Sequence, residues 1–307
     1  MPEPILVSII IPTFNRARLI GQTLDSVLSQ SYSFWECLVV DDGSTDGTEG
    51  VVIDYVSKDS RFQYHQRPIT RPKGANACRN YGFEMSRGAC VNWFDSDDIM
   101  LPNKLEKKLN LLLDSGADFV VSKGALHEKL PELEPIPWPL HLEGNILFNH
   151  ICGRIAFVTN GPLFRRDFLL KSDVLFDERL QVRQEWEFFN RLLMTKPHVE
   201  VLLEPLYLFR TLGSGVRRSD SILKAKSKIL AEQFTFKNLR GKSFFSRDED
   251  LFYRKQTINR CFGFYKPLSL SYKMKLFFVF AKTVIVPLNY EVIKSYFAKF
   301  FNPKDGK

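Results

Sequence analysis

The sequence predicts an α/β protein built on a doubly wound, mostly parallel sheet, with a helical extension at its C-terminal end. Residues 5–11, ILVSIII, form an apolar, largely β-branched run that stops at Pro12, as is typical of a strand buried on both faces. Strand-like and helix-like segments then alternate, which favours parallel strands joined by helices. Polar clusters directly follow several strands, at the edge where such sheets bind ligands.

Each predicted element has its own signal. The helix over residues 16–30 has apolar residues at helical spacing, namely Ala17, Ile20, Leu24, Val27 and Leu28. A strand over 35–40 ends at Asp41 and completes a βαβ unit. The pattern repeats with a helix over 50–57, a strand over 62–65, a helix over 74–85 and a strand over 89–94. Farther along, we expect a helix from about Glu185 onward and a strand over 201–209.

Length and composition exclude several classes of protein. A chain of 307 residues with 44% hydrophobic content buries a substantial core in one large domain or two smaller ones. The five cysteines are an odd number without a CxxC pair, which argues against a disulfide framework or a structural zinc site and favours a reducing compartment. The first residues lack the basic start and cleavage site of a signal peptide, so we expect a cytoplasmic protein.

The positive charge is concentrated in the C-terminal part of the chain. Residues 217–307 hold 20 Lys/Arg, 7 Asp/Glu and 18 Phe/Tyr, whereas residues 1–216 hold 23 Lys/Arg and 28 Asp/Glu. The apolar segment 276–288 is too short for a hydrocarbon core that needs roughly 20 residues, and Pro287 interrupts it. We expect an interfacial helix that contacts anionic lipid at the inner face of the cell membrane. The alternative is an ordinary helical domain whose aromatic residues form its own core.

Three carboxylates directly follow the strand over 89–94. Asp95, Asp97 and Asp98 either bind a divalent cation or form the acidic cap of a helix, because ionised carboxylates this close repel one another. Asp41 and Asp42 follow a neighbouring strand, where acids accept hydrogen bonds from a ribose or a base. Together these acids predict a nucleotide with a cation at its diphosphate.

Four motifs in order resemble those of the inverting family 2 glycosyltransferases with a GT-A fold. They are SIIIPTFNR at residues 8–16, VVDDGSTDGT at 39–48, GANACRNYG at 74–82 and FDSDD at 94–98. The resemblance covers about residues 5–215. It implies a GT-A sheet with a Rossmann-like nucleotide-binding half, a nucleotide-sugar donor, Mn²⁺ or Mg²⁺, and inversion at the anomeric carbon.

The resemblance assigns donor-side roles residue by residue. It places Pro12, Thr13 and Asn15 near the nucleobase, Asp41 or Asp42 at the base or ribose, and the pair Arg79-Asn80 beside the diphosphate; Arg16 is grouped with these donor-binding residues. In the DxD motif Asp97 is expected to bind the metal directly, with Asp95 nearer the ribose or sugar and Asp98 assisting. Ser96 lies between the two motif acids and is included in the donor site.

Inversion in one displacement requires a general base opposite the departing diphosphate. The segment from Phe176 to Leu192 resembles the family's acceptor-side segment, in which a Glu-Asp pair precedes an aromatic residue. Here the pair reads Gln184-Glu185, so the resemblance moves the base role to Glu185. We expect the start of a helix to keep this carboxylate ionised. Asp177 is a weaker competitor.

Two further assignments complete the predicted site. Asn160, Gly161 and Trp186 are assigned to the acceptor, and the glycine-containing basic loop with Arg210 and Arg217 is expected to fold over the diphosphate. Ordinary solvated charge is the alternative for that loop.

The sequence therefore predicts a metal-dependent inverting transferase that moves a sugar, from a UDP-sugar in our expectation, onto a saccharide or lipid-linked acceptor in cell-surface polysaccharide synthesis. Residues 1–216 form the catalytic domain, with a donor half (1–100) and an acceptor half (101–216). Residues 217–307 form a basic helical region in peripheral contact with the membrane, and no nucleic acid is expected. A nucleotidyltransferase and a catalytically silent nucleotide-sugar-binding scaffold are the alternatives.

Overall fold

In the part of the chain that the structure describes, eight strands form one sheet. The computed structural model describes residues 3–129, 139–140, 142–210 and 222–265. The strands are β1 (Val7–Thr13), β2 (Trp35–Asp41), β3 (Phe62–Gln66), β4 (Cys90–Trp93), β5 (Ile99–Met100), β6 (Phe119–Leu126), β7 (Pro162–Arg165) and β8 (Val199–Phe209). Their order in the sheet is β3-β2-β1-β4-β7-β6-β8-β5.

Helices connect and cover these strands. They are α1 (Ile20–Leu28), α2 (Thr48–Lys58), α3 (Ala75–Met85), α4 (Lys104–Ser115), α5 (Ile146–Ile151), α6 (Arg166–Ser172), α7 (Gln184–Leu193), α8 (Ile222–Leu239) and α9 (Arg247–Tyr265). Every helix and strand predicted within the described residues is present, with ends that differ by a few residues. The expected α/β fold with a helical C-terminal region is confirmed.

The donor half is a parallel sheet of the expected kind. Strand β1 pairs in parallel with β2 and β4, and β2 pairs in parallel with β3. All residues of β1 and β2 are buried, which explains why these strands are nearly continuous apolar runs. Because the three connections cross over through helices, the carboxyl ends of β1, β2 and β4 lie side by side.

The rest of the sheet mixes strand directions. Strand β7 lies between β4 and β6 and is antiparallel to both, and β5 is antiparallel to β8. The pair β6 and β8 is parallel. Because β7 is antiparallel to β4, it begins beside the carboxyl end of β4, and the residues just before β7 therefore lie at the edge where the acidic motifs lie.

Two hydrophobic clusters occupy the two faces of the sheet. One is largely aliphatic and lies between the sheet and α1, α2 and α4. The other is rich in aromatic residues and includes Trp93, whose ring meets those of Phe164, Phe176 and Phe188 edge to face at 5.2–5.7 Å between centroids. Since Trp93 ends β4, this packing fixes the strand that precedes the Asp95 motif against α7.

The C-terminal helices α8 and α9 share the aromatic cluster with the acceptor half. Ala225, Ile229 and Phe236 of α8 and Tyr253 of α9 are buried in it. The predicted boundary at residue 216 and the apolar segment 276–288 lie outside the described residues. None of the described helices is long and apolar enough to span a bilayer. Cys37, Cys78, Cys90 and Cys152 are free thiols.

Candidate active site

The predicted donor residues meet at the carboxyl edge of the parallel strands. Thr13 ends β1 directly beside Asp41, which ends β2. The Asp41 carboxylate is held by the turn that follows it: Oδ1 accepts hydrogen bonds from the Gly43 amide at 3.0 Å and from the Ser44 amide and hydroxyl, both at 2.8 Å. The Tyr64 hydroxyl donates to Oδ2 at 3.1 Å. The next acid, Asp42, pairs with Arg67 at 2.5 Å.

The loop after β1 is joined to the loop after β2. Asn15 has a left-handed backbone with φ of 51°, a conformation that asparagine tolerates better than most residues. Its amide donates to the Ser44 hydroxyl at 2.8 Å, and its side-chain oxygen accepts from the Thr45 amide at 2.8 Å. The Arg16 amide donates to the Thr48 hydroxyl at 2.8 Å. The two loops therefore form one surface beside the acidic motif.

The three motif acids have different partners. Asp95 pairs with Arg79 at 2.9 Å, and Asp97 pairs with Arg16 at 3.3 Å. Both side chains are partly exposed, 31% for Asp95 and 25% for Asp97. Asp98 is buried, and its carboxylate accepts from the Asn160 amide group and, at 2.9 Å, from the backbone amide of Arg210.

Burial and mutual repulsion make this cluster electrostatically costly. Burial, followed by the charge of Asp95, raises the pKa of Asp98 to about 8. The same two causes raise the pKa of Asp97, and the Arg16 guanidinium opposes them. Among the described residues, no three His, Cys, Asp or Glu side chains are grouped so that they alone would hold a metal ion.

The donor set nevertheless fits a cation that shares its ligands with a substrate. Mg²⁺ is usually held by one or two carboxylates together with substrate phosphates, and Mn²⁺ also prefers oxygen ligands. Asp95 and Asp97 are near enough for one to raise the pKa of the other, and both are accessible. Asp98 is already committed to Asn160 and Arg210. A cation at this edge would therefore be held by Asp97 with Asp95, while Asp98 positions the motif.

The start of α7 reaches the same edge from the acceptor half. The Arg79 guanidinium that pairs with Asp95 also donates to Gln184 Oε1 at 3.1 Å. Glu185 Oε1 accepts hydrogen bonds from the Thr159 amide at 2.9 Å and from its hydroxyl at 2.6 Å. The adjacent Asn160 accepts from the Asp95 amide at 2.8 Å. Two consecutive residues thus join the predicted base to the acidic motif.

The remaining predicted residues are placed as follows. The Asn80 side chain makes two hydrogen bonds to the backbone of Phe176. Its Nδ2 atom donates to the carbonyl at 2.9 Å, and its Oδ1 atom accepts from the amide at 3.1 Å. The carbonyl of the buried Ser96 accepts from the Thr23 hydroxyl. Trp186 stacks under the Arg183 guanidinium at 3.9 Å. Arg210 is buried and its guanidinium donates to the Asp97 carbonyl at 3.1 Å. Arg217 lies outside the described residues.

Two buried lysines support the site and were not predicted from the sequence. Lys104 donates to Asn92 Oδ1 at 3.0 Å, and Lys108 donates to the carbonyl of Gly161. Burial holds the pKa of each well below its ordinary value, and for Lys104 the charge of Lys108 adds to this effect. Lysines at i and i+4 on an amphipathic helix are ordinarily solvent-facing. Only the tertiary structure shows that they fix the segment that carries Asn160.

The model of Glycosyl transferase family 2 matches residues 8–168, which is more than half of the chain. The chain belongs to glycosyltransferase family 2. It is therefore a glycosyltransferase, as the four motifs predict. The match includes every predicted donor and DxD residue and ends before Glu185.

Curated relatives of this family 2 glycosyltransferase match a little over a third of its length. The putative teichuronic acid biosynthesis glycosyltransferase TuaG of Bacillus subtilis is 39% identical over 114 residues, and the Escherichia coli enzyme WfgD, a UDP-Glc:α-D-GlcNAc-diphosphoundecaprenol β-1,3-glucosyltransferase, is 37% identical over 115 residues. These stretches are 37% and 38% of this chain. The matched stretch spans only 44% of the length of each relative.

Solved structures match over most of the chain. Staphylococcus aureus TarS in complex with UDP-GlcNAc aligns with a TM-score of 0.71 at 20% identity, over 91% of this chain and 81% of the other. The mannosyltransferase PcManGT of Pyrobaculum calidifontis in complex with GDP-Man and Mn²⁺ aligns with a TM-score of 0.62 at 16% identity, over 98% and 82%. These likenesses concern the fold and confirm that this family 2 glycosyltransferase is of the GT-A type.

Proposed function

We propose that this enzyme transfers a sugar with inversion from a nucleoside diphosphate sugar, a UDP-sugar in the first instance, to a saccharide or lipid-linked acceptor in cell-surface polysaccharide synthesis. The observation that carries the proposal is the link from Asp95 through Asn160 and Thr159 to Glu185. It connects the donor-side acids to a carboxylate on the acceptor side. The donor and acceptor named for WfgD support the choice of substrates.

The donor would lie along the edge formed by the loops after β1, β2 and β4. Asp42 would meet the base or ribose, and the guanidinium of Arg79 would meet the diphosphate beside Asp95. Mn²⁺ or Mg²⁺ held by Asp97 and Asp95 would neutralise charge that develops on the leaving diphosphate. The Arg16 guanidinium, 3.3 Å from the Asp97 carboxylate, supplies part of the counter-charge to it.

Glu185 would act as the general base. An acceptor hydroxyl oxygen attacks the anomeric carbon as its proton passes to Glu185, and the bond between that carbon and the diphosphate oxygen breaks with its electron pair on the nucleoside diphosphate. The two hydrogen bonds from Thr159 fix the Oε1 atom of Glu185 and leave Oε2 for the acceptor. Trp186 would form the apolar wall on which an acceptor sugar ring packs.

A donor screen tests this proposal. The full chain is incubated with UDP-, GDP- and dTDP-sugars and a diphospho-lipid-linked saccharide, with Mn²⁺, Mg²⁺ or EDTA, and the products are read by mass spectrometry. We expect one donor class to be consumed only with metal and the product to carry one added sugar. Turnover of none of these donors would overturn the proposal.

A pair of variants tests the base. We expect Glu185→Gln to lower transfer by at least about 100-fold and to change donor affinity by less than about twofold, as for loss of a general base. Glu187→Gln is the matched control, because Glu187 lies on the same helix but pairs with Arg191 at 2.6 Å. It should keep its transfer rate and lose stability. Full activity of Glu185→Gln would move the base role to another acid such as Asp177.

The C-terminal region would hold the enzyme at a membrane surface. Its support is the excess of 20 Lys/Arg over 7 Asp/Glu in residues 217–307 together with 18 Phe/Tyr. Sedimentation with phosphatidylglycerol vesicles should bring the protein down at low salt, and phosphatidylcholine vesicles should not. Equal behaviour with both lipids would contradict surface attachment through charge.

A further inference from the structure

A buried ionic cluster connects the C-terminal helices to the start of α7. The Glu232 carboxylate of α8 is fully buried, and its Oε1 atom lies 2.6 Å from Arg183 Nη1 and 2.7 Å from Arg260 Nε. Arg183 directly precedes α7, whereas Arg260 belongs to α9. One carboxylate therefore holds two guanidiniums that come from different parts of the chain. Such a cluster fixes geometry strongly, because removing its shared partner leaves buried charge behind.

Trp186 contacts the same two guanidiniums. The guanidinium carbon of Arg183 is 3.9 Å from the centre of the indole, and that of Arg260 is 5.7 Å from it. Both distances are within the range of cation–π attraction. The side chain next to Glu185 is thus oriented by an ion cluster whose central acid is 46 residues away in the sequence.

A second contact from α8 holds the backbone before α7. The Ser227 hydroxyl accepts hydrogen bonds from the amides of Gln181 at 3.0 Å and Val182 at 3.2 Å, and it lies 3.1 Å from the Val182 carbonyl. Ser227 is buried. Deeper in α7, Asn190 donates to Thr235 Oγ1 at 3.2 Å. Contacts with α8 therefore extend from the loop before α7 to the second half of that helix.

We propose that α8 and α9 are a positioning element of the catalytic site, in which Glu232 and Ser227 set the start of α7 and so place Glu185 and Trp186 against the acceptor. The inference rests on the proposed function of Glu185. Glu232 and Ser227 are positioning residues, because neither reaches the edge of the sheet where the donor would lie.

This arrangement predicts different effects on the use of the two substrates. The donor-side loops after β1 and β2 are held by contacts among themselves, such as that between Asn15 and Ser44. Weakening the contacts from α8 should leave donor binding intact and impair the use of the acceptor. A generally destabilised fold would impair both.

The experiment compares Glu232→Gln and Ser227→Ala with the control Asp250→Asn. The control also breaks a carboxylate–arginine pair of the C-terminal helices, that of Asp250 with Arg254 at 2.6 Å, but this pair lies within α9. In the full chain, hydrogen exchange of the amides in residues 181–190 should be about 10-fold faster in Glu232→Gln and a few-fold faster in Ser227→Ala. It should be unchanged in Asp250→Asn.

Kinetics give the second measurement. For Glu232→Gln we expect kcat for transfer to fall by about 10-fold and the KM for acceptor to rise, with the donor Kd within about twofold of the parent. Ser227→Ala should show the same pattern to a smaller degree, and it remains informative if Glu232→Gln fails to fold. The inference would be overturned if a folded variant exchanged the amides of residues 181–190 at the same rate as the parent. It would also be overturned if the variant lost affinity for donor and acceptor to the same extent.

The two proposals fail in different ways. If the parent protein transfers no sugar from any donor, the proposed function is wrong, while the exchange measurement still decides whether α8 holds the start of α7. If the parent transfers sugar and Glu232→Gln keeps both its kcat and its exchange rates, only the positioning role is wrong.

Discussion

The donor half and the acceptor half hold their polar side chains in different ways. In the donor half the Asp41 carboxylate is fixed by residues two and three positions later, through the amides of Gly43 and Ser44. In the acceptor half Glu185 is fixed by Thr159, 26 residues earlier, and Arg183 by Glu232, 49 residues later. The Asp41 carboxylate is therefore held largely by its own turn, whereas the predicted base depends on tertiary contacts.

The two kinds of support differ in what they require of the fold. A turn with its own hydrogen bonds keeps its shape once the flanking strands are in place, because its donors are backbone amides. A side chain held by distant elements moves when any one of those elements moves. We therefore expect substitutions in the donor half to act on binding, and substitutions in the acceptor half to act on turnover or on stability.

The largest effect should come from Asp97 at the edge of the donor half. We expect Asp97→Asn to weaken metal-dependent donor binding by at least about 100-fold, since a first ligand of the cation is lost. Because burial and Asp95 raise the pKa of Asp97, removing its charge should leave the protein at least as stable as the parent. Calorimetric titration with UDP and Mn²⁺, together with urea unfolding, measures both quantities.

Asp98 is the control for that prediction. The pKa of Asp98 is raised as well, but both of its carboxylate oxygens accept hydrogen bonds, from Asn160 and from the Arg210 backbone amide. Asp98→Asn would place an N–H₂ group against one of these donors, so it should lower stability as well as binding. Asp97→Asn with donor affinity like that of the parent would remove Asp97 from the metal site.

The next effect concerns acid stability and should separate the two halves. Burial lowers the pKa of His150 to about 4, with the charge of Arg183 adding to this and the hydrogen bond to Asn190 opposing it. His150 stays neutral in the folded acceptor half while the unfolded chain takes up a proton below its ordinary pKa of about 6.5. The folded state therefore loses stability as pH falls from about 6.5 to about 4, by up to roughly 3 kcal/mol.

Urea unfolding across that pH range measures this loss. His150→Phe keeps the ring contacts with Phe157 and Phe189 and removes the titrating group. The slope of its unfolding free energy against pH should therefore be smaller than that of the parent, by the equivalent of up to about one bound proton. Glu36→Gln is the donor-half comparison. Burial alone would raise the pKa of Glu36, but hydrogen bonds led by that of the Arg87 amide outweigh it and lower the pKa. The stability that Glu36 contributes is therefore lost only as pH falls below the ordinary pKa of a glutamate side chain. If the unfolding free energy of His150→Phe had the same slope against pH as that of the parent, His150 would not be the group that causes the acid loss of stability.

The same contrast explains which parts of the molecule the sequence could predict. The parallel strands β1 to β4, the helices that connect them and the acids at the ends of β2 and β4 were predicted, because apolar periodicity and short-range turn chemistry determine them. The insertion of β7 between β4 and β6 was not predicted, since strand order depends on packing between distant segments. Lys104, Lys108 and Thr159 were missed for that reason too.

The roles of individual residues divide along the same line. Asp97 and Asp98 are adjacent in one motif, yet one side chain meets Arg16 and the other is buried against Asn160 and Arg210. The resemblance assigns Asp97 to the metal and Asp98 to an assisting role, but the motif does not reveal which residues contact each side chain. The departure at Gln184 is explained by its contact with Arg79, where a neutral amide oxygen accepts a hydrogen bond without competing for the charge of Asp95.

A smaller effect is expected from the residue that holds the predicted base. Thr159→Val removes the hydroxyl that donates to Glu185 at 2.6 Å and keeps the backbone amide bond. Loss of a hydrogen bond to a charged group should lower kcat by about 10-fold with donor affinity unchanged. Thr195→Val is the control, because the Thr195 hydroxyl donates to the Leu192 carbonyl within its own turn. Equal rates for both variants would argue against orientation of Glu185 by Thr159.

The smallest effect should come from the corresponding change in the donor half. Ser44→Ala removes one hydroxyl donor from Asp41, yet Asp41 Oδ1 keeps the amides of Gly43 and Ser44 and its Oδ2 keeps Tyr64. Donor affinity should therefore fall by no more than about threefold, and kcat should not change. Ser44→Ala also removes the acceptor of the Asn15 amide, and this second lost contact lies at the junction of the two loops. If Ser44→Ala reduced turnover as strongly as Thr159→Val, local support in the donor half would be no more robust than the long-range support of Glu185.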